Sequence, residues 1–210
     1  MKSIFWNNIY KKKQQISEWP WPELIKYFYR YVKKNKNIKV LELGFGSGAN
    51  IPFFVKNKIN YFGIEVSKNI FNKVKRKFKL GKNNIFNYDF KQFNFRHDFD
   101  LIFDRCSLSY NSEKEVKILI DKIYTNLKNN GYYFGLDWAC IETINTKKSV
   151  YKKNTSGPYA NQGEVFYLNE RKIKSLFKDF YFEELNKNIY IDTINKKKYV
   201  TLSFVVKKVK

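Results

Sequence analysis

Downstream of Pro22, the apolar residues Leu24, Ile25, Phe28, Tyr29 and Val32 recur at helical spacing, which predicts an amphipathic helix over residues 22–34. Pro22 suits the first turn of such a helix, where its missing N–H costs nothing. The period then shortens. Ile38, Val40, Leu41 and Leu43 form a short apolar run ending at a glycine cluster, the pattern of a buried strand, and a helix with Pro52 near its start is expected over residues 51–56. Further strands are predicted at 61–65, 84–89, 99–104 and 132–137. Ile70, Phe71, Val74 and Phe78 mark one intervening helical face. Val116, Leu119, Ile120, Ile123 and Leu127 mark another, with Asn129, Asn130 and Gly131 as its C-terminal stop.

Strands alternating with helices imply βαβ units and a mostly parallel sheet covered on both faces. The tail differs. A helix at 169–179, capped by Asn169, leads to β-rich stretches at 182–191 and 199–206, separated by too few residues for a crossover helix, so they must pair antiparallel. The expected fold is α/β: a doubly wound, seven-stranded sheet, mostly parallel, with an antiparallel C-terminal hairpin. Residues 1–36 are expected to form an aromatic preface and helix, and residues 37–210 one globular unit. Residues 139–165 are the only long loop candidate, and such loops are often functional.

Composition narrows the partners. With 210 residues, 43% hydrophobic and 19% aromatic, the chain has ample apolar surface to offset chain entropy. Lysines interrupt every apolar stretch, so no membrane span of about 20 residues is expected. The start has no apolar secretory region, and two cysteines, Cys106 and Cys140, make no disulfide framework. The expected location is the cytoplasm. A net charge of +22 invites a nucleic-acid partner. A compositional origin is favoured, because the lysines are scattered and the chain is rich in residues with AT-rich codons and holds only three alanines.

The strongest local signal is residues 40–50, where a strand runs into Gly44, Gly46 and Gly48 and a helix opens directly after. Glycines there permit positive φ and close approach of a ligand to the backbone. Open α/β sheets bind ligands at the carboxyl ends of their strands. Gly44, Gly46 and Ala49 also satisfy a dinucleotide fingerprint, so glycines alone leave the ligand open. Three carboxylates decide it. Glu42 beside the loop suits an ammonium or sulfonium better than a pyrophosphate, Glu65 at the next strand end suits ribose hydroxyls, and Asp89 suits an adenine amine with Phe90 packed on the ring.

In these motifs, together with residues 99–102 and 127–131, the chain resembles the class I S-adenosylmethionine-dependent methyltransferases, over roughly residues 38–138. The resemblance implies a Rossmann-like fold and S-adenosyl-L-methionine as cofactor. It places the methionine part on Gly44, Phe45, Gly46 and Gly48, the ribose on Glu65, the adenine between Val66 and Phe90, and the adenine amine on Asp89. Asn50 and Asp104 are implied to line the same pocket. The segments around Trp6 and Tyr10 and around Trp19 and Trp21 look like the lids of small-molecule members. Their rings either close over the cofactor, with Tyr10 and Trp19 as candidates, or simply pack the preface against the sheet.

Methyl transfer needs alignment above all, and a base only where the acceptor must lose a proton. Candidates after strand ends are Asp104, Tyr110 and Asp137, each of which could instead only cap or pair. His97 precedes a strand, at the wrong edge of the sheet. Arg105 stands where cytosine-carbon methylating enzymes carry the proline of a Pro-Cys motif, and the Pro-Pro-aromatic motif of exocyclic-amine methylation is absent, which weighs against DNA bases. Trp138, Tyr151, the 156–159 turn and Tyr167, with Lys147, Lys148, Lys152 and Lys153 nearby, suggest an aromatic acceptor pocket with basic margins and a small, anionic acceptor. The leading expectation is a small-molecule or glycan-precursor methyltransferase using no metal. The competing ones are an RNA methyltransferase, a nicotinamide-dependent reductase and a cofactor-binding protein without catalysis.

Overall fold

The computed structural model describes residues 2–32, 37–81, 84–92, 99–153 and 159–209. Seven strands form one sheet. β1 (Lys39–Leu43), β2 (Asn60–Ile64), β3 (Ile85–Phe86), β4 (Phe99–Arg105) and β5 (Leu127–Ala139) run parallel, and β8 (Phe180–Asp192) and β9 (Lys197–Lys208) complete it antiparallel. The order is β3-β2-β1-β4-β5-β9-β8, so the chain reverses direction across the sheet between β1 and β4. That switch point is where the strand ends splay and leave a crevice. Alternate side chains of a strand face opposite layers: Leu101 and Phe103 join the core under α3 (Ile51–Lys56) and α4 (Lys68–Phe78), whereas Ile102 joins the core under α5 (Glu113–Asn126) and α6 (Glu170–Leu176). The expected doubly wound sheet with its reversed tail is the fold observed.

Several element boundaries differ from expectation, for local reasons. The preface folds as α1 (Lys2–Lys11), docked by the Asn7 side-chain oxygen, which accepts from Ser67 Oγ at 2.7 Å and the Asn69 N–H at 3.2 Å. The helix at Pro22 is α-helical only to Tyr27 (α2) and continues as a π turn, Phe28–Val32, that presents Arg30 and Tyr31 together to Glu184 of β8. α5 ends at Asn126, because buried Leu127 already pairs with Phe99 as a strand residue; the positive φ of Asn130 serves a bulge in β5, not a helix stop. β3 is only two residues long, so Asp89 stands beyond it in a turn. The long loop candidate contains a 3-10 turn, Ile141–Ile144, and a two-stranded antiparallel sheet of β6 (Val150–Lys153) and β7 (Glu164–Tyr167). Asn169 caps α6 as expected, accepting from the Lys172 N–H at 2.9 Å, but the helix stops at Leu176. No helix among the described residues is long and apolar enough to cross a membrane.

Candidate active site

At the switch point, β1 delivers Glu42 and the glycine loop to the mouth of a cavity of about 690 Å³. Gly44 has φ +80°, and a Cβ there would lie 2.7 Å from the Ser107 Cβ, so only glycine lets the loops after β1 and β4 meet. The Gly44 N–H donates to Ile64 O at 2.9 Å, binding the loop across the end of β2. The Gly46 N–H donates to Glu65 at 3.0 Å, and the Ser67 N–H donates to the same carboxylate at 2.8 Å. Glu42 accepts from the Asn50 side-chain amide at 2.8 Å and the Tyr61 hydroxyl at 2.7 Å. Burial pushes the carboxyls of both Glu42 and Glu65 up to about 7. A buried carboxylate with lone pairs still free is stabilised in its charged form by a cation or by hydroxyl donors, which an ammonium and a ribose supply.

Glu42, Gly44, Phe45, Gly46, Asn50, Glu65, Val66, Asp89, Phe90 and Tyr10 all line this cavity. Asp89 is half-buried at its rim, one oxygen accepting from the Lys91 N–H at 3.0 Å. The lid is latched to the loop: the Ser17 N–H donates to Ser47 Oγ at 3.0 Å, and the Trp21 N–H donates to the Asn50 side-chain oxygen at 3.2 Å. Asn50 thus joins the lid backbone to the Glu42 carboxylate. Tyr110 also lines the cavity, its hydroxyl donating to Gln162 at 2.6 Å and its ring meeting Trp6 edge-on. Asp137, at φ +53°, binds the Arg105 Nε at 2.8 Å and accepts from Thr201 Oγ1 at 3.1 Å.

Three expected site residues are placed elsewhere. Trp19 is 80% exposed and turned away, and Trp21 takes the lid position, its ring face 3.4 Å from the Arg105 guanidinium. Gly48 faces α4, where a Cβ would meet Phe78 at 2.9 Å, so it serves helix packing. Asp104 is fully buried beneath the cavity and collects bonds from Trp138 Nε1 at 2.9 Å, the Leu108 N–H at 3.0 Å, Ser107 Oγ at 3.1 Å and the Tyr133 hydroxyl. It is a structural hub without room for an acceptor. Of the expected acceptor aromatics only Tyr159 lines the cavity; Trp138 and Tyr167 are fully buried, and Tyr151 lies outside it. Lys147, Lys148, Lys152 and Lys153 do not line it either, so the expected basic margin is not there. His97 and residues 156–158 lie outside the described residues. Cys106 lines the cavity, but burial pushes its thiol up to about 12, leaving no thiolate nucleophile at neutral pH. Cys140 is buried in the core. No cluster of metal-ligating side chains exists among the described residues.

Sequence reading missed Glu23, Arg105, Asn188, Tyr190, Tyr199 and Thr201, all of which line the cavity. The last four stand on the C-terminal hairpin, where they read only as strand positions. Trp21 had no local signal that set it apart from Trp19, because each tryptophan precedes a proline.

A crevice of this kind, with a glycine loop, two buried carboxylates and an aromatic lid, defines a nucleoside-cofactor site in an open α/β sheet. Residues 40–131 match the family model described as a methyltransferase domain. That match, together with the fold, supports a class I S-adenosylmethionine-dependent methyltransferase with S-adenosylmethionine as its cofactor. No curated protein matches it in sequence. Among solved structures, its fold is similar to that of an S-adenosylmethionine-dependent methyltransferase from Methanosarcina mazei (TM-score 0.67, 13% identity, covering 91% of this chain and 99% of the other). It is also similar to the 1,6-didemethyltoxoflavin-N1-methyltransferase of Burkholderia thailandensis, solved with 1,6-didemethyltoxoflavin and S-adenosylhomocysteine (TM-score 0.68, 11% identity, covering 90% and 78%). A third is the N-methyltransferase NodS of Bradyrhizobium japonicum, in complex with S-adenosylhomocysteine (TM-score 0.65, 17% identity, covering 90% and 87%).

Proposed function

We propose that the protein transfers a methyl group from S-adenosylmethionine to a small-molecule or glycan-precursor acceptor. The cofactor supplies a methyl carbon already activated by a sulfonium. The protein's own part is to hold both partners in line under a closed lid, a positional effect worth up to about 7–11 kcal/mol. Glu42 and Glu65 would hold the ammonium and the ribose, Val66 and Phe90 would flank the adenine, and Asp89 would accept from its amine. Tyr10 and Trp21 would keep water out.

The carrying observation is the cavity, whose volume falls within the range of about 300–1,000 Å³ for small-molecule sites. Of 41 lysines and arginines, only Lys2 and Arg105 line it among the described residues, and Arg105 is already paired. An RNA strand needs basic side chains tracking its phosphates into the site, which favours the small acceptor over RNA. The test is S-adenosylhomocysteine release with extracts fractionated by size. Release driven by the low-mass fraction supports this reading, and release driven only by RNA contradicts it.

A further inference from the structure

We infer that the end of the cavity between lid and C-terminal hairpin binds an uncharged, hydroxyl-bearing ring, and that Glu23 takes the hydroxyl proton as the oxygen is methylated. This rests on the methyl-transfer reading above and specifies its acceptor.

Two aromatic surfaces line the cavity at the lid and the hairpin. One is Trp21 with Arg105 laid on its face. The other is Tyr190 and Tyr199, whose rings stack at 4.7 Å and 13° across the β8–β9 pair. Flat faces of this kind suit the face of a ring. A continuous polar network lies at this end: Ser203 Oγ donates to Glu23 at 3.0 Å and accepts from the Asn188 amide at 3.1 Å and the Asp137 N–H at 3.1 Å, and Thr201 Oγ1 donates to Asp137 at 3.1 Å. Thr201 and Ser203 are buried on a sheet face where Val205 of the same strand packs in the apolar core. The network is satisfied within the protein, and its members Glu23, Asp137, Asn188 and Thr201 line the cavity, where polar side chains of this kind suit a hydroxyl.

Charge disfavours an anion. At this end the lining carries the carboxyls of Glu23 and Asp137 against one cation, Arg105, which Asp137 already holds. The remaining lining cation, Lys2, bonds Asn111 and lies 3.5 Å from Glu115.

The two carboxyls differ in what they can do with a proton. Asp137 is locked to a guanidinium, and protonation would strand that cation. Glu23 accepts only from neutral hydroxyls, Tyr27 at 3.1 Å and Ser203 at 3.0 Å, so its protonation strands no charged partner. The charged groups around Glu23 are Asp137 on β5, Lys26 on its own helix, Arg105 beyond Asp137, and Glu184 reached through Asn186 and Tyr27. Burial, with a smaller contribution from Asp137, raises the Glu23 carboxyl above its ordinary value, which brings it toward a working base. In the step itself, the acceptor oxygen bonds the methyl carbon. The carbon–sulfur bond breaks with its electron pair on sulfur, and the O–H proton passes to Glu23.

The test begins with calorimetry, titrating S-adenosylhomocysteine into the protein and then phenyl β-glucoside or phenyl β-glucuronide into the loaded protein. The glucoside is expected to bind at least tenfold more tightly than the glucuronide, and Tyr190→Ala should abolish that binding while sparing S-adenosylhomocysteine. Turnover is then measured over phenols and hexosides and their carboxylated or phosphorylated counterparts. Uncharged members should lead. With the best of them, Glu23→Gln should lower kcat at least 100-fold at near-constant KM and remove the acidic limb of the pH profile, and Glu23→Asp should restore part of the rate. Preference for the anionic series, no turnover of any uncharged member, or an unchanged kcat in Glu23→Gln overturns the inference and leaves the cofactor reading standing. Failure of S-adenosylhomocysteine itself to bind overturns both.

Discussion

The two ends of the cavity are built by different logic. At the cofactor end, Glu42, Gly44, Gly46, Asn50 and Glu65 come from one stretch of 24 residues spanning two adjacent parallel strands, and each bonds a neighbour within that stretch. At the acceptor end, Glu23 meets Ser203 across 180 positions of sequence, and Arg105 meets Asp137 and Trp21 from three elements. The first is a property of a motif and the second of a topology. In the proposed reading, the motif holds the cofactor and the topology selects what is methylated.

The largest expected effect lies beneath both ends. Asp104→Ala strands the buried donors of Tyr133 and Trp138, which should cost about 3 kcal/mol, or roughly 6–12 °C in Tm for a domain of this size. Calorimetric melting checks this, and a loss below about 1 kcal/mol would show that the hub is dispensable. At the cofactor end, Glu65→Gln sets an amide NH2 against one of the two backbone N–H groups that the carboxylate accepts from, so it should weaken S-adenosylhomocysteine binding roughly thirtyfold, about 2 kcal/mol, and cost about 1–2 kcal/mol of stability. At the acceptor end, Trp21→Ala should raise the acceptor KM and leave S-adenosylhomocysteine affinity within about threefold. The smallest effect belongs to Trp19→Ala, within about 0.5 kcal/mol of the parent in stability, because the ring is exposed.

Burial raises carboxyls at both ends, and at the cofactor end the consequence for pH is direct. Glu42 and Glu65 stand at about 7 in the folded protein, against about 4.3 in an unfolded chain. The native state therefore holds more protons than the unfolded chain across that window, and the stability of the ligand-free protein should fall as pH rises through it. Cofactor binding favours the ionised carboxylates, so affinity should rise as pH passes from 6 to 8, with proton release visible as buffer-dependent heats. A pH-independent affinity would show that these carboxyls do not meet the ligand.

How far the sequence reached follows the same division. The glycine loop, the strand-end carboxylates and the alternation of strands and helices are local patterns, and the doubly wound sheet with its reversed hairpin was legible from them. Asn50 and Tyr10 could also be named from position. Asp104 stands at the expected strand end, yet its surroundings, Tyr133 and Trp138 from β5, turn it inward, and no pattern within β4 carries that information. Tyr190 and Tyr199 read as ordinary strand residues, because what brings their stacked rings over the crevice is the order β5-β9-β8 and its register. Lys147 and its neighbours were placed near the site because they follow β5, but the turn and small sheet after that strand carry them away from the cavity.

The central claim is that buried carboxylates at adjoining strand tips hold an adenosyl sulfonium. Parallel calorimetric titrations of the purified protein with S-adenosylmethionine, S-adenosylhomocysteine and NAD test it most directly. The account predicts saturable one-to-one binding of the first two and none of the third; binding of NAD alone, or of no ligand, would contradict it.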